Sequence, residues 1–306
     1  MKSIKIGGKI PAPAIALGCM RIGGLETKHL HDLIGTAMEN GAHFFDHADI
    51  YGGGECERVF GKAVKEMGIP RDKMLVQTKC GIRNGFFDFS KEHIITSAEK
   101  ALERLGMEYA DFFLLHRPDT LMEPEEVAEA FTQLHKAGKV RHFGVSNHNP
   151  AQILLLNKYL PDELKIIINQ LQFSPTNTGM VNSGLNVNME NPPAVDRDGA
   201  VLEFCRISDI TIQAWSPFQY GFFEGVFLGS EKYPKLNAEI NTLAEKYNVT
   251  QEAVVIAWIL RHPANIQAIP GTTNVARLKG ICGAYSVEMT RPEWYAVYRA
   301  AGNVLP

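Results

Sequence analysis

The sequence has little that would mark a secreted, membrane-spanning or metal-binding protein. Its five cysteines (Cys19, Cys56, Cys80, Cys205, Cys282) are odd in number and form no Cys-x-x-Cys pair. That pattern weighs against a disulfide framework and a thiolate zinc site, and it fits reduced thiols in the cytoplasm. No run of about 18 apolar residues is present to span a membrane. The opening Met-Lys-Ser-Ile-Lys-Ile-Gly-Gly lacks the apolar stretch of a signal peptide. A basic stripe is missing as well: the formal net charge is −3 and charges of both signs are interspersed, which argues against nucleic acid as a partner. His29 and His31 are two residues apart on a helical pattern and face different ways, and no metal site is expected. Gly-x-Gly-x-x-Gly is absent, and Gly54…Gly61-Lys62-Ala63 is not a P-loop. Any nucleotide must therefore bind by other means.

What is present is organised around residues 43–54, His-Phe-Phe-Asp-His-Ala-Asp-Ile-Tyr-Gly-Gly-Gly. It reads as a short buried strand opening into a glycine-rich loop. Asp46 ends the apolar run, and a carboxylate there requires a positive partner. Tyr51 stands before Gly52, Gly53 and Gly54, which bring no side chains and allow a ligand to approach closely. Seven more short apolar runs lie at 14–18, 74–79, 111–116, 142–146, 166–170, 210–216 and 266–271. Most are almost continuously apolar, as in parallel strands buried on both faces.

Amphipathic helix patterns separate the runs. Ser90 is placed to cap one helix and Asn149-Pro150 to open another, while Thr290-Arg-Pro-Glu293 has the spacing of a capping box. Eight strands alternating with helices predict a (β/α)8 TIM barrel, which typically takes ~250 residues. Residues 1–306 are expected to form one such domain, with extra C-terminal helices. An N-terminal β-hairpin around Gly7-Gly8 is expected to plug the floor. One polar stretch, 173–198, is too long for an ordinary connection and is expected to lie over the active-site end.

Active sites of such barrels lie at the C-terminal strand ends. Here those ends carry Asp46, Lys79, His116, Ser146-Asn147, Asn169-Gln170, Trp215-Ser216-Pro217 and Gly271-Thr272-Thr273. Asp46 and Lys79 come from adjacent strands and can pair. Tyr51, protonated at neutral pH, can give up a proton, and a nearby ammonium is expected to lower its pKa. His116 can hold a carbonyl oxygen through a ring N–H. Such a set suits reduction of a C=O, and because no side chain delivers hydride, a cofactor is required. Ser146, Asn147 and Gln170 can bond a carboxamide, and Trp215 offers a stacking face. Gly271-Thr272-Thr273 leads into a helix bearing Arg277, a setting that favours phosphate.

These residues resemble the aldo-keto reductase family over roughly residues 13–285. The matching stretches are Phe-Phe-Asp-His-Ala-Asp-Ile-Tyr-Gly (44–52), Leu-Leu-His-Arg-Pro-Asp (114–119) and Gly-Lys-Val-Arg-His-Phe-Gly-Val-Ser-Asn (138–147). Asn169-Gln170, Trp215-Ser216-Pro217 and Ile-Pro-Gly-Thr-Thr (269–273) followed by Arg277 continue the match. The resemblance implies NADPH-dependent reduction of an aldehyde or ketone, with Asp46, Tyr51, Lys79 and His116 as catalytic tetrad and Tyr51 as proton donor. It implies NADP(H) as cofactor, with NAD(H) as the alternative. Ser146, Asn147 and Gln170 would hold nicotinamide, Trp215 would stack on it, and Thr272, Thr273 and Arg277 would meet the 2′-phosphate. Cys19, Met20, Asp46, Ser216, Pro217, Phe218 and Gly271 complete the expected cofactor contacts. Tyr51, His116, Phe86, Phe218 and Phe223 form the expected substrate wall. Trp215 replaces a frequent tyrosine, while Gly280 and Ile281 stand where many members carry Glu and Asn against adenosine. The alternative from another class is a nucleotide-binding sensor or accessory subunit with slow turnover, as some members are channel subunits.

Overall fold

A computed structural model describes residues 3–306. The chain opens with β1 (Ser3–Ile6) and β2 (Ile10–Pro13), an antiparallel hairpin whose turn places Gly7 and Gly8 at φ 57° and 70°. Ile4 and Ile6 pack with Phe44, Phe112, Leu114 and Ile168 inside the barrel, so the hairpin closes the floor as its alternation implies.

Eight parallel strands follow: β3 (Leu17–Gly18), β4 (Phe44–Asp46), β5 (Leu75–Cys80), β6 (Ala110–Leu115), β7 (Val140–Ser146), β8 (Ile168–Gln172), β9 (Thr211–Trp215) and β12 (Gln267–Ile269). They pair in chain order, and Ala268 N–H to Ala14 O, Ala16 N–H to Ala268 O and Gly18 N–H to Pro270 O join the last strand to the first. These bonds close the expected barrel. β10 (Gln219–Tyr220) and β11 (Gly225–Val226) form a small antiparallel flap after β9.

The helices are α1 (Thr27–Glu39), α2 (Glu55–Glu66), α3 (Lys91–Leu105), α4 (Pro124–Lys136), α5 (Pro150–Tyr159), α6 (Gly179–Leu185), α7 (Val201–Ile207), α8 (Pro234–Tyr247), α9 (Gln251–Arg261), α10 (Val275–Cys282) and α11 (Arg291–Ala300). Three start where the sequence signals them. Ser90 accepts from His93 N–H, and Asn149/Gln152 and Thr290/Glu293 form capping boxes. No helix is long and apolar enough to cross a membrane among the described residues.

The 173–198 stretch corrects one expectation. It folds into α6 and a single turn at Pro192–Ala194 and packs against the C-terminus: Tyr298 Oη donates to Asn182 Oδ1 at 2.7 Å, and Asn303 Nδ2 to Pro175 O at 3.0 Å. None of its residues lines the cavity described below. The flap at 219–226 stands over the site instead.

Candidate active site

Side-chain alternation decides what meets inside the barrel. On β5, Val76 and Cys80 join the outer core and Thr78 donates to Glu57 of α2, while Gln77 and Lys79 point inward to Asp46. Lys79 is fully buried, with Nζ 2.8 Å from Asp46 Oδ1 and 2.9 Å from Oδ2. The same ammonium donates to His47 O at 2.8 Å and to the Tyr51 hydroxyl at 3.3 Å. Its charge is thereby matched, as a buried cation requires.

Beneath this pair lies a network the sequence reading missed. Gln77 and Gln170 donate to Asp46 Oδ1 at 2.6 and 3.1 Å, and both donate to Gln213 Oε1 at 2.8 and 3.0 Å. Gln213 donates to Gln77 Oε1 and Gln267 Oε1, and Gln267 donates to Pro13 O at 2.7 Å. Four strands thus hold one carboxylate by side-chain amides. The available signal was parity: Gln77 and Gln213 lie two residues before Lys79 and Trp215, hence on the same face.

The electrostatics modify one expectation. Burial pushes the Lys79 pKa down, but Asp46 and Tyr51 push it up further, and it stands above the ordinary lysine value. Burial raises the Tyr51 pKa, Lys79 lowers it and Asp46 raises it again; the net is upward, not the expected decrease. Desolvation of a phenolate in this pocket outweighs one ammonium that is already shared with a carboxylate. His116 meets Tyr51 edge-on with ring centroids 6.0 Å apart. Burial, then Lys79 and Arg117, hold its pKa well below the usual value, so its ring is neutral at pH 7.

Tyr51 is aimed by an unusual turn. Gly52, Gly53 and Gly54 take φ of 58°, 64° and 90°, a left-handed run that L side chains rarely adopt. A Cβ at Gly54 would lie 2.7 Å from Arg104 Cδ, and Arg104 Nε bonds the buried Glu57 at 2.6 Å. These glycines serve the backbone more than ligand approach.

Asp46, Tyr51 and His116 open on a cavity of about 680 Å³ with Met20, Ser146, Asn147, Gln170, Trp215, Ser216, Pro217, Phe218, Phe223, Gly271, Thr272 and Arg277. Lys79 lies under its floor. Three expected residues stand elsewhere. Cys19 is buried with Sγ donating to Leu17 O, and the Thr273 carbonyl is 2.7 Å from His29 Nε2. Phe86 is 57% exposed on a turn, with the Arg83 guanidinium 5.6 Å from its ring. Arg21, Arg117, Gln251 and Glu252 line the cavity and were not singled out from the sequence.

At the rim, Asn147 Nδ2 donates to Ser146 Oγ at 2.7 Å, and Trp215 Nε1 donates to Asn147 Oδ1 at 3.2 Å. Asn147 and Ser216 have φ of 60° and 50°, and such strain in non-glycine residues concentrates at functional sites. Phe223 stacks on Trp215 with centroids 5.8 Å apart, covering part of the expected stacking surface. The helix after β12 starts later than expected. Asn274 caps it, taking Arg277 N–H at 2.8 Å, and Arg277 Nε pairs with Glu252 Oε1 at 3.1 Å.

The sequence profile of the aldo/keto reductase family matches residues 14–300. The chain belongs to that family. It is an oxidoreductase on the same ground. Oxidoreductase YdhF of Escherichia coli is 35% identical over 90% of this chain and 89% of its own length. The 6-dehydroglucose reductase of Agrobacterium fabrum is 32% identical, covering 98% of both chains. An aldo-keto reductase from Klebsiella pneumoniae, solved with NADPH, shares the fold at a TM-score of 0.77, covering 97% of this chain and 94% of its own, with 22% identity. In this aldo/keto reductase the two departures after Arg277 have a packing reason. Ile281 is fully buried, and a Cβ at Gly280 would meet Thr250 Cγ2 at 2.8 Å. Gln251 and Glu252 of α9 line the cavity, and Glu252 pairs with Arg277.

Proposed function

We propose that the protein reduces an aldehyde or ketone to an alcohol with NADPH as hydride source and Tyr51 as proton donor. The observation that carries this is a single buried ammonium, Lys79 Nζ, held 2.8 Å from Asp46 and 3.3 Å from a phenol that lines the cavity. The cavity volume lies within the roughly 300–1,000 Å³ usual for small-molecule sites.

The residues present suit a nicotinamide dinucleotide. Gln170 Oε1 and the part of the Trp215 ring that Phe223 leaves uncovered remain for a carboxamide and a flat ring, while Thr272 and Arg277 at the start of α10 suit a phosphate. When bound, NADPH supplies the hydride for the carbonyl carbon. The electron pair of the C=O bond moves to oxygen, which takes the Tyr51 proton. Lys79 stabilises the phenolate left behind and Asp46 keeps Lys79 charged. His116, neutral, offers a ring N–H to the carbonyl oxygen. Ser146, Asn147 and Gln170 fix the geometry from the opposite wall.

The test is NADPH oxidation with 4-nitrobenzaldehyde or a reactive dicarbonyl, with the alcohol product quantified. One alcohol per NADPH consumed is expected. NADPH binding without any consumption would move the reading to a nucleotide sensor or accessory subunit. For the cofactor, Arg277→Ala should raise the Kd for NADPH at least about tenfold and that for NADH little, as loss of a charge-assisted pair implies. Equal effects on both would remove the 2′-phosphate role.

A further inference from the structure

Arg117 follows His116 at the end of β6 and lines the cavity beside Tyr51. Its guanidinium lies 5.9 Å from the Trp215 ring centroid and 5.7 Å from that of Phe222 on the flap. Its contacts among the described residues are these two rings, with no ion pair or hydrogen bond to a side chain. Both carboxylates that line the cavity are already committed. Asp46 is held by Lys79 and Glu252 by Arg277, while Asp119 accepts from Phe89 N–H at 3.1 Å and Leu121 N–H at 2.9 Å. His116 is neutral and adds no counter-charge. A half-buried guanidinium against two aromatic rings and without an anion is incomplete, because desolvation of a charge is recovered only by a partner. Burial lowers its pKa, with Tyr51 acting against that, and an arginine stays charged regardless.

The cofactor does not supply that anion in the expected pose. In the barrel order, β6 and β12 lie four strands apart in either direction, so Arg117 faces the Arg277 end from across the mouth. Arg117 instead borders the place where a carbonyl must sit to reach Tyr51 and His116. The surrounding walls are apolar: Phe222 and Phe223 are 66% and 45% exposed at the flap tip, and Trp215 stands beneath them.

We propose that Arg117 receives a carboxylate on the substrate, so that the preferred substrates are oxo acids, aldehydes or ketones carrying a carboxylate on an apolar or aromatic frame. The proposal rests on the reductase reading above and names the substrate class of that site. The guanidinium lies within cation–π range of both rings, and its N–H fork can take both oxygens of a carboxylate. The anion anchors one end of the molecule while the carbonyl at the other end meets Tyr51.

The test compares 4-carboxybenzaldehyde with its neutral methyl ester, using NADPH and the wild-type, Arg117→Gln and Arg117→Lys proteins. The kcat/KM ratio of acid to ester is expected above about ten in the wild type, as a charged hydrogen bond provides. It should fall toward one in Arg117→Gln, through KM rather than kcat, and recover in part in Arg117→Lys. A wild-type ratio near one, or the same ratio in all three proteins, overturns the proposal. Should Arg117→Gln fail to fold, the wild type alone still decides: benzoate should compete with the aldehyde while benzamide does not. Equal inhibition by the two would overturn it. If neither aldehyde is turned over, calorimetry of benzoate binding to the NADPH-loaded proteins separates the two readings. Binding at least tenfold weaker in Arg117→Gln than in wild type would support the carboxylate site although the reductase reading had failed, and equal binding would remove the site.

Discussion

At Asp46, one ammonium and two glutamine amides converge on a single carboxylate, and this convergence explains why Lys79 tolerates full burial. Removing one partner leaves the other charge without compensation. Lys79→Met is therefore expected to destabilise the fold by about 3–5 kcal/mol. Urea unfolding measures this, and the pair Lys79→Met with Asp46→Asn should recover a large part of the loss. A single-variant cost below about 1 kcal/mol would show that the ion pair is not held as described. The sequence made Asp46, Lys79 and His116 legible because each ends an apolar run. It hid Gln77, Gln213 and Gln267 because they lie inside such runs, where a polar residue gives no sign of facing an enclosed polar layer. Arg117 was visible in Leu-Leu-His-Arg-Pro-Asp, but only the structure shows that no acid pairs with it.

Among the elements, the turn at 51–54 and the flap at 219–226 carry the adjustable geometry. Gly53 and Gly54 share a left-handed backbone, yet a Cβ at Gly53 would meet nothing within 4 Å whereas at Gly54 it would strike Arg104. Gly53→Ala is expected to cost about 1–2 kcal/mol from backbone conformation alone. Gly54→Ala should cost more and also lower kcat, because shifting Arg104 releases Glu57 and with it the entry into α2. Equal costs and unchanged kcat for both would contradict this. Helix starts were legible from Ser90, Asn149 and Thr290, since caps are local chemistry. The fate of 173–198 was not: whether a polar stretch covers the mouth or docks on the C-terminal helix depends on Tyr298 and Asn303, more than a hundred residues away.

For the whole molecule, the alternation of apolar runs and helices sufficed to specify the barrel, because parallel pairing in chain order follows from the repeat itself. Its pH response depends on groups that the barrel buries. Burial, with Lys79, holds His47 at about 3, and burial holds His148 and His262 at about 4. The unfolded chain binds protons at these rings below about 6.5 while the folded chain does not, so their contribution is present above that pH and lost as pH falls. Asp49 acts in the opposite sense. Burial and Glu57 raise it to about 6, so between about 6 and 4 it favours the folded state as pH falls. Burial holds His116 well below its ordinary value too, so at least four rings act against one carboxyl, and the unfolding free energy should drop by several kcal/mol between about pH 7 and pH 4.5. Stability that is flat or rising over that range would contradict the assignment of buried neutral rings.

The most direct test of the central claim, that a phenol held by a buried Lys–Asp pair protonates the carbonyl oxygen, is Tyr51→Phe measured for both turnover and NADPH affinity. The account predicts that kcat for 4-nitrobenzaldehyde falls at least about a hundredfold, the scale of general-acid catalysis, while the Kd for NADPH stays within about threefold. Turnover that survives, or a Kd weakened by as much as kcat, would show that Tyr51 is not the proton donor.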